Sequence, residues 1–186
     1  MISISYLFEA KILDFPTSRQ DNEGSCGSTC VQTILAYYGI DERQDDLSDK
    51  LKMSDDGISY KNIIKIFKKY KLSVDARPMT VNDLKKYINK KIPVIILIQA
   101  YKDNRQKKYT RENYNNGHYV VAIGYNSKQL IVEDPALNNQ VGYISFSDLE
   151  VRWHGIGENE NEKLDYFGIA VYGKPKYDSD KIVKVK

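Results

Sequence analysis

Cys26 is the residue best suited to nucleophilic chemistry, in a chain of 186 residues with two cysteines and two histidines. It follows Ser25, a good helix N-cap, so its thiol is expected in the first turn of a helix. There, unpaired backbone N–H groups and the positive end of the helix dipole stabilise a thiolate. Gly27 is a poor helix former and suits a crowded place where a substrate backbone approaches closely. The pattern predicts a reactive thiol at Cys26, the alternative being a small buried apolar residue.

Cys30 stands one helical turn after Cys26 and is expected on the same face of the helix. Two sulfurs at this spacing have poor geometry for a disulfide. A zinc site would need two further soft ligands, and neither a second cysteine pair nor a histidine lies nearby in the sequence. We therefore expect no disulfide and no metal, and we expect Cys30 to be buried in the core.

His118 and Asp134 are predicted to lie across a β-hairpin from each other. His118 opens one strand and Asp134 ends the next, with the turn at Asn126-Ser-Lys128. Folding this hairpin brings the two residues within about one position of direct opposition. A carboxylate bonded to one imidazole nitrogen fixes the tautomer and leaves the other nitrogen for a thiol. Taken singly, His118 could be an ordinary strand-end histidine and Asp134 a turn opener, but together with Cys26 they form a Cys-His-Asp arrangement.

His154 is the other histidine, and it competes with His118 for the role of catalytic base. It follows Trp153 at the predicted end of a helix, where a histidine can cap the last carbonyl groups. We therefore expect His154 to have a structural role or to lie at the edge of a pocket.

The N-terminal part of the chain is predicted to be mostly helical. Apolar residues at helical spacing predict a helix from Ser25 to Tyr38 that stops at Gly39. Similar patterns predict helices over residues 45–52 and 59–70. Thr80-Val-Asn-Asp83 is an approximate capping pattern that opens a further helix. Alternation of apolar and polar residues predicts a strand over residues 72–77.

The C-terminal part is predicted to form an antiparallel sheet. Residues 94–98 are apolar, as in a strand covered on both faces. Further strands are predicted over residues 118–125, 129–134, 142–146 and 166–172, with a short helix over 147–153. The polar stretch 101–116 is predicted to be a long loop that contributes to a groove wall. The predicted fold class is α+β, with an N-terminal helical half packed on a C-terminal antiparallel sheet.

Length and composition exclude several classes of protein. The chain has the length of a single domain, 1–186, with 41% hydrophobic and 28% charged residues, and residues 174–186 are predicted to be a polar tail. No window has the roughly 18 consecutive apolar residues of a membrane helix, and residues 1–10 lack the basic start of a signal peptide. The net charge is only +3 and the basic residues are scattered, so no nucleic-acid partner is expected.

Three segments carry the pattern of a known family: Gln20-Asp-Asn-Glu-Gly-Ser-Cys-Gly27, Gly117-His-Tyr-Val-Val-Ala-Ile-Gly124 and Glu133-Asp-Pro135. They resemble the papain-like double-glycine leader peptidases, which include the N-terminal peptidase domains of bacteriocin-exporting ABC transporters and stand-alone relatives. Leu13-Asp-Phe-Pro16 and the closing segments 152–154 and 166–172 resemble the stand-alone branch, so the likeness extends over about residues 13–173. One departure is Ser25, where the family usually has an acidic residue.

The resemblance implies a papain-like cysteine peptidase fold and cleavage of a peptide bond through a thioester on Cys26, after small residues such as Gly-Gly. By position it implies Cys26 as the nucleophile, His118 as general base and acid, Asp134 as the residue that orients His118, and Gln20 as the donor to the oxyanion. It implies no cofactor and no metal. The implied partner is a peptide or protein substrate, without nucleic acid and without membrane insertion.

Two other functions fit the same residues. An acyltransferase or amidohydrolase would use the same thioester chemistry, and a non-catalytic peptide-binding module would need only the groove. No ATPase or membrane-spanning portion follows in the sequence, so we expect a stand-alone family member in the cytoplasm. The sequence leaves open whether the substrate is a Gly-Gly leader, and it leaves the oligomeric state undetermined.

Overall fold

The structure is a computed structural model of the chain, and it describes residues 10–53, 57–102, 108–138, 140–182 and 184. The expectation that no signal peptide is present concerns residues that lie mostly outside these ranges. The middle of the predicted polar loop, residues 103–107, also lies outside them. All elements given below belong to the described part of the chain.

The described helices are α1 Cys26–Tyr37, α2 Gln44–Lys50, α3 Tyr60–Lys69, α4 Val81–Asn89 and α5 Phe146–Arg152, with a 3-10 turn at Glu23–Ser25. The Ser59 side chain caps α3 by accepting a hydrogen bond from the N–H of Lys61. Thr80 and Asp83 form the predicted capping box at the start of α4. Such caps satisfy backbone N–H groups that the first turn of a helix leaves unpaired.

The described strands are β1 Lys11–Ile12, β2 Ser73–Pro78, β3 Val94–Gln99, β4 Gly117–Tyr125, β5 Gln129–Glu133, β6 Val141–Ser145, β7 His154–Ile156, β8 Lys163–Asp165 and β9 Phe167–Tyr172. The main sheet is antiparallel in the order β2-β9-β3-β4-β5-β6, with β1 beside β4, and β7 and β8 form a separate pair. β3 and β4 therefore lie in the middle of the sheet, and β3 is buried along its whole length.

Helix α1 packs against β4 and carries part of the core. Val31, Ile34 and Leu35 of this helix have no exposed surface. Burial of each such side chain stabilises the fold by about 1.5–3 kcal/mol relative to exposure. This packing holds the first residue of α1 beside the strand that begins with Gly117 and His118.

The predicted fold class is confirmed, and the ends of the predicted elements differ from the structure by one or two residues. The short strands β1, β7 and β8 were not predicted, because two or three residues carry too little periodicity to identify a strand. The prediction that His154 caps a helix is wrong. His154 begins β7, and the α5 cap residue is Trp153.

The end of α1 is closed by Gly39 and by the C-terminal segment. Gly39 has φ of +77°, in the left-handed region that favours glycine. The backbone N–H groups of Lys176 and Tyr177 donate to the Tyr37 carbonyl oxygen at 2.9 and 3.1 Å. The described part of the predicted polar tail is therefore anchored to a helix by its backbone.

Two further observations concern all the residues that the structure describes. No helix there has both the length and the apolar character that crossing a membrane requires. No group of three or more His, Cys, Asp or Glu side chains there is arranged to hold a metal ion.

Candidate active site

Cys26 begins α1 and lies in the wall of a cleft of about 1030 Å³. It is 7% exposed, and the start of the helix directs the positive end of the dipole to it. Ser25 occupies the N-cap position, but the predicted cap hydrogen bond is absent. The Ser25 hydroxyl instead donates to the Asn22 carbonyl oxygen (2.9 Å) and accepts from the Asn22 N–H (3.1 Å). Ser25 therefore stabilises the turn before the helix and not the helix start.

His118 lies between Cys26 and Asp134. Its Nε2 is 2.7 Å from Asp134 Oδ1, and both side chains are buried. The Cys26 thiol interacts with the same imidazole and raises its pKa. An ionised carboxylate only accepts hydrogen bonds, so Nε2 carries a proton and Nδ1 is left for the thiol. The structure thus brings together three of the four predicted site residues.

His118 and Asp134 meet diagonally across the hairpin. β4 and β5 pair Val121 with Glu133. A bulge lies between this pair and the hairpin turn, at Ala122–Gly124. One step further, the register places Asp134 opposite Val120, two positions from His118. Side chains at diagonal positions share a face of the sheet and come within reach of each other. The predicted near-direct opposition is wrong because the turn is centred on Ser127 and Lys128, later than predicted. The bulge, which adds an unpaired residue to β4, brings Asp134 one position nearer to His118.

The electrostatics of the His118–Asp134 pair favour the charged forms of both groups. Burial lowers the pKa of His118, but hydrogen bonds and charges of Asp134 and Cys26 outweigh it and raise the pKa to about 9. Burial raises the pKa of Asp134, but bonds from His118 and the Ala136 N–H outweigh it and hold that pKa below its usual range. An imidazolium beside a thiol stabilises the thiolate. The arrangement can therefore place a positive charge beside the Cys26 side chain.

Tyr101 completes the surroundings of Asp134, although the sequence predicted it only as a loop residue. Its hydroxyl donates to Asp134 Oδ2 at 2.7 Å, and its ring stands edge-on to the His118 ring with centroids 5.2 Å apart. Tyr101 has φ of +55°, which is uncommon for a residue other than glycine. Its place just after β3, whose Ile98 pairs with His118, is the sequence signal that points to it.

Gln20 lies near the site, but its amide faces its own loop. The backbone N–H of Gln20 donates to the Pro135 carbonyl oxygen at 2.9 Å, next to Asp134 in the chain. The Gln20 Nε2 donates to the carbonyl oxygen of Asn22 at 2.8 Å, and Gln20 Oε1 is buried without a partner among the described residues. The role of Gln20 as an oxyanion donor stays a prediction.

Cys30 and His154 take structural positions. Cys30 has no exposed surface, and its thiol donates to the Tyr119 carbonyl oxygen at 3.4 Å. Both cysteines are free, as predicted. The His154 ring is buried, with Nε2 at 2.7 Å from the Asn113 carbonyl oxygen and the Tyr114 ring packed edge-on against it. His154 thus holds a segment that reaches the cleft.

Gly27 is crowded by the protein itself. A Cβ built on Gly27 would lie 3.2 Å from the Ile58 Cβ and 3.3 Å from the Tyr119 Cδ2. Both distances are tighter than ordinary van der Waals contact. The crowding at Gly27, predicted to come from an approaching substrate backbone, therefore comes from packing between α1 and its neighbours.

The cleft beside Cys26 is bounded by three parts of the chain. One wall comes from the turn before α1 and from residues 57–59, and a second comes from residues 112–117 at the end of the polar loop. The third consists of residues 156–160 with Lys163. The expectation that the loop contributes to a groove wall is met by its described residues Glu112, Tyr114 and Asn115.

This fold is shared with peptidase domains of known structure. The chain is similar to a structure described as a putative C39-like peptidase from Bacillus anthracis, with a TM-score of 0.68 and 19% identity, covering 90% of this chain and 100% of the other. It is also similar to a double glycine motif protease from an AMS/PCAT transporter in complex with the leader peptide, with a TM-score of 0.60 and 20% identity, covering 89% and 94%. The fold is that of papain-like C39 peptidase domains.

The family follows from the sequence match. Residues 12–161 match the model described as Peptidase_C39 like family, and the chain belongs to this family. A curated relative is the SPbeta prophage-derived sublancin-168-processing and transport ATP-binding protein SunT of Bacillus subtilis. It is 30% identical over 125 residues, which are 63% of this chain and 15% of SunT. The chain therefore corresponds to a small part of that relative.

Proposed function

We propose that this protein is a cysteine peptidase that cleaves a peptide bond with Cys26, His118 and Asp134. One observation carries the proposal: a histidine whose Nε2 is 2.7 Å from a carboxylate interacts with the Cys26 thiol, which lies in the wall of a cleft. Membership of the Peptidase_C39 like family supports it. These three side chains supply a nucleophile, a proton donor and the group that orients the donor.

The proposed reaction has two covalent steps. The Cys26 thiolate attacks the substrate carbonyl carbon, and the imidazolium of His118 gives its proton to the leaving amine as the C–N bond breaks. The acyl group is then a thioester on Cys26. His118, now neutral, takes a proton from water, the hydroxide attacks the thioester, and the thiol is released. Asp134 keeps the ring oriented and stabilises its charged form.

We assign the oxyanion to Gln20 and the Cys26 backbone N–H. The proximity of the Gln20 backbone to Pro135 supports this role. Because the Gln20 amide donates to Asn22 in the free protein, substrate binding would have to turn one of its N–H groups toward the carbonyl oxygen. A donor that is absent from an oxyanion hole costs about 10²–10³ in turnover. Gln20→Ala is therefore expected to lower turnover without changing the reactivity of the thiol.

The proposed substrate is a peptide with small residues such as Gly-Gly before the cleaved bond. The double glycine motif protease with its leader peptide and the sublancin-processing relative support this class of substrate. We also propose that residues 1–186 form one domain and that it acts in the cytoplasm, as the sequence predicts.

The test of the site is the pH dependence of Cys26 alkylation by iodoacetamide, with mass spectrometry to separate Cys26 from Cys30. In the parent protein we expect rapid modification well below the ordinary thiol pKa of about 8.5. In His118→Ala we expect the rate to follow an ordinary thiol titration. His154→Ala is the matched control, and its profile should stay close to that of the parent.

Three results would contradict the proposal. A slow, ordinary titration in the parent would mean that the site is inert and would favour a peptide-binding module. Loss of reactivity in His154→Ala instead of His118→Ala would reverse the assignment of the base. Acyl transfer to hydroxylamine without hydrolysis of peptides would identify an acyltransferase that uses the same thioester.

A further inference from the structure

The cleft beside Cys26 is acidic although the protein as a whole is basic. The net charge of the chain is +3, whereas the described residues lining the cleft include four carboxylates and one ammonium, namely Glu23, Glu112, Glu158, Glu160 and Lys163. Among the described residues, none of these carboxylates forms an ion pair. The Lys163 ammonium lies over the ring of Tyr114, 5.0 Å from its centroid. These carboxylates therefore lack an ion-pairing partner among the described residues, although the charge of Arg111 acts on Glu112 from further away.

A second observation in the same cleft points to a ligand. Tyr119 lines the cleft and is 8% exposed, and no described residue forms a hydrogen bond with its hydroxyl. Burial raises the pKa of this hydroxyl, and the charges of Cys26, Cys30 and Glu158 raise it further. The hydroxyl oxygen keeps some exposed surface and is therefore accessible from the cleft. A hydroxyl oxygen accepts hydrogen bonds, so a guanidinium or ammonium group would supply a partner for it.

The acidic rim at residues 157–160 is held in place before any substrate binds. The Gly157 N–H donates to the Glu162 carbonyl oxygen at 2.7 Å, and the Tyr60 hydroxyl donates to Glu162 Oε1 at 2.8 Å. The Ser59 hydroxyl donates to Glu158. The Glu158 carboxylate fixed in this way attracts a cation without first having to be ordered.

We infer that the peptide bound in this cleft carries a cationic side chain, Arg or Lys, close to the bond that Cys26 attacks. The four cleft carboxylates attract the cation and the Tyr119 hydroxyl accepts one of its hydrogen bonds. The inference rests on the proposed function and narrows its substrate class. Glu23 and Glu160 are the carboxylates to test, since both are exposed and their side chains form no hydrogen bond with another described residue.

The first experiment measures the potential at Cys26 without any substrate. Cys26 is modified with methanethiosulfonates that carry a trimethylammonium or a sulfonate group, and the ratio of the two rates is compared between proteins. We expect Glu23→Gln/Glu160→Gln to lower the cation-to-anion ratio at least about fivefold at low ionic strength, with a smaller effect at high ionic strength. Glu150→Gln is the matched control, since Glu150 is exposed and lies outside the cleft. An unchanged ratio in the double variant would overturn the inference.

The second experiment uses N-acetylated, internally quenched peptides with a central Gly-Gly. In one series of peptides, a single Arg is placed in turn at each position on either side of the Gly-Gly. A matching series carries citrulline, the uncharged analogue of Arg, at the same positions. We expect kcat/KM for the Arg peptide to exceed that for its citrulline partner at least about tenfold at one position, and the double variant to abolish the preference.

The two experiments separate the failure of the inference from that of the proposed function. If peptides are cleaved with equal efficiency for Arg and citrulline at every position, the inference is wrong and the peptidase stands. If no peptide is cleaved, the peptidase proposal fails, and the ratio of the reagent rates still decides whether the cleft selects cations.

Discussion

Asp134 is bonded on both sides of its carboxylate, and the second bond comes from a residue outside the predicted Cys-His-Asp arrangement. Oδ1 is close to His118 Nε2 and to the Ala136 N–H, and Oδ2 accepts from the Tyr101 hydroxyl. The hydrogen bond from Tyr101 contributes to the low pKa of Asp134. Tyr101 is thus a positioning residue: it acts on the imidazole through the carboxylate and does not reach the nucleophile by any described contact.

Tyr101→Phe tests this role because it removes the hydroxyl and keeps the ring. Loss of a hydrogen bond to a charged group costs about 1.5–3 kcal/mol, and the pKa of Asp134 should rise. We expect the acid limb of the Cys26 alkylation profile to move to higher pH and kcat/KM to fall at least about tenfold. Tyr125→Phe is the control, since the Tyr125 hydroxyl bonds Asn89 instead. An unmoved acid limb in Tyr101→Phe would show that the hydroxyl only contributes to stability.

At the scale of elements, the end of β5 carries two carboxylates with opposite properties. Asp134 is held below its usual pKa, whereas burial raises the pKa of Glu133 to about 8. Glu133 is 1% exposed, and its Oε1 accepts from the Ser18 N–H at 3.3 Å. Alternation along the strand places neighbouring residues on opposite faces. Glu133 therefore points into the core and Asp134 toward the hairpin face shared with His118.

Glu133 makes the stability of the fold depend on pH. Because its pKa is raised in the folded state, the folded protein binds a proton there that the unfolded chain releases above pH 4.5. As pH rises from 4.5 to 6.5, this group lowers the free energy of unfolding by up to about 1.4 kcal/mol per pH unit. These two pH values are the ordinary pKa values of Glu and His. Glu133→Gln should make the free energy of unfolding, measured with urea, depend less on pH. Glu150→Gln should leave this pH dependence unchanged. Equal slopes for the parent and Glu133→Gln would disprove the assignment.

The segment before β4 is held to β7 by His154. His154→Ala would leave the Asn113 carbonyl oxygen without its donor and would remove the ring that packs against Tyr114. We expect a loss of about 1–3 kcal/mol in stability and faster amide hydrogen exchange in residues 108–116, with little change in β4. The Cys26 alkylation profile is the internal control. Unchanged exchange in this segment would contradict the assigned role.

At the scale of the whole molecule, the C-terminal segment behaves as part of the packed structure. The Tyr37 carbonyl oxygen accepts hydrogen bonds from the Lys176 and Tyr177 N–H groups. The Ser179 N–H donates to Asp14 Oδ2 at 3.0 Å. These bonds join residues 176–179 to the end of α1 and to the chain before it. Ile182 is 97% exposed and contributes nothing comparable.

Two truncations test this anchoring. Ending the chain after Gly173 removes both donors to Tyr37 and should lower the free energy of unfolding by about 1–2 kcal/mol. Ending it after Asp180 keeps the bonds of Lys176, Tyr177 and Ser179 and should leave stability unchanged. Urea unfolding gives both values. Equal stability of the two truncated proteins would mean that the segment is a tail that only rests on the surface.

Much of this protein was determined by local sequence. Helices α1, α3 and α4, the buried strand β3 and the β4–β5 hairpin were predictable because periodicity, caps and turn residues act over a few neighbouring positions. The same patterns placed Cys26 at a helix start and His118 and Asp134 on adjacent strands. The resemblance to a peptidase family added the roles.

Other features were decided only by tertiary structure. The bulge that brings Asp134 onto the face of His118, the crowding of Gly27 by Ile58 and the bond from Tyr101 to Asp134 each depend on residues that are distant in the sequence. The acidity of the cleft is also a tertiary property. Glu23 and Glu160 are far apart in a chain of positive net charge and come together only in the folded protein. Local patterns predict which elements form. Their packing decides which side chains and charges meet, because contacts and electrostatic fields depend on distance in space and not along the chain.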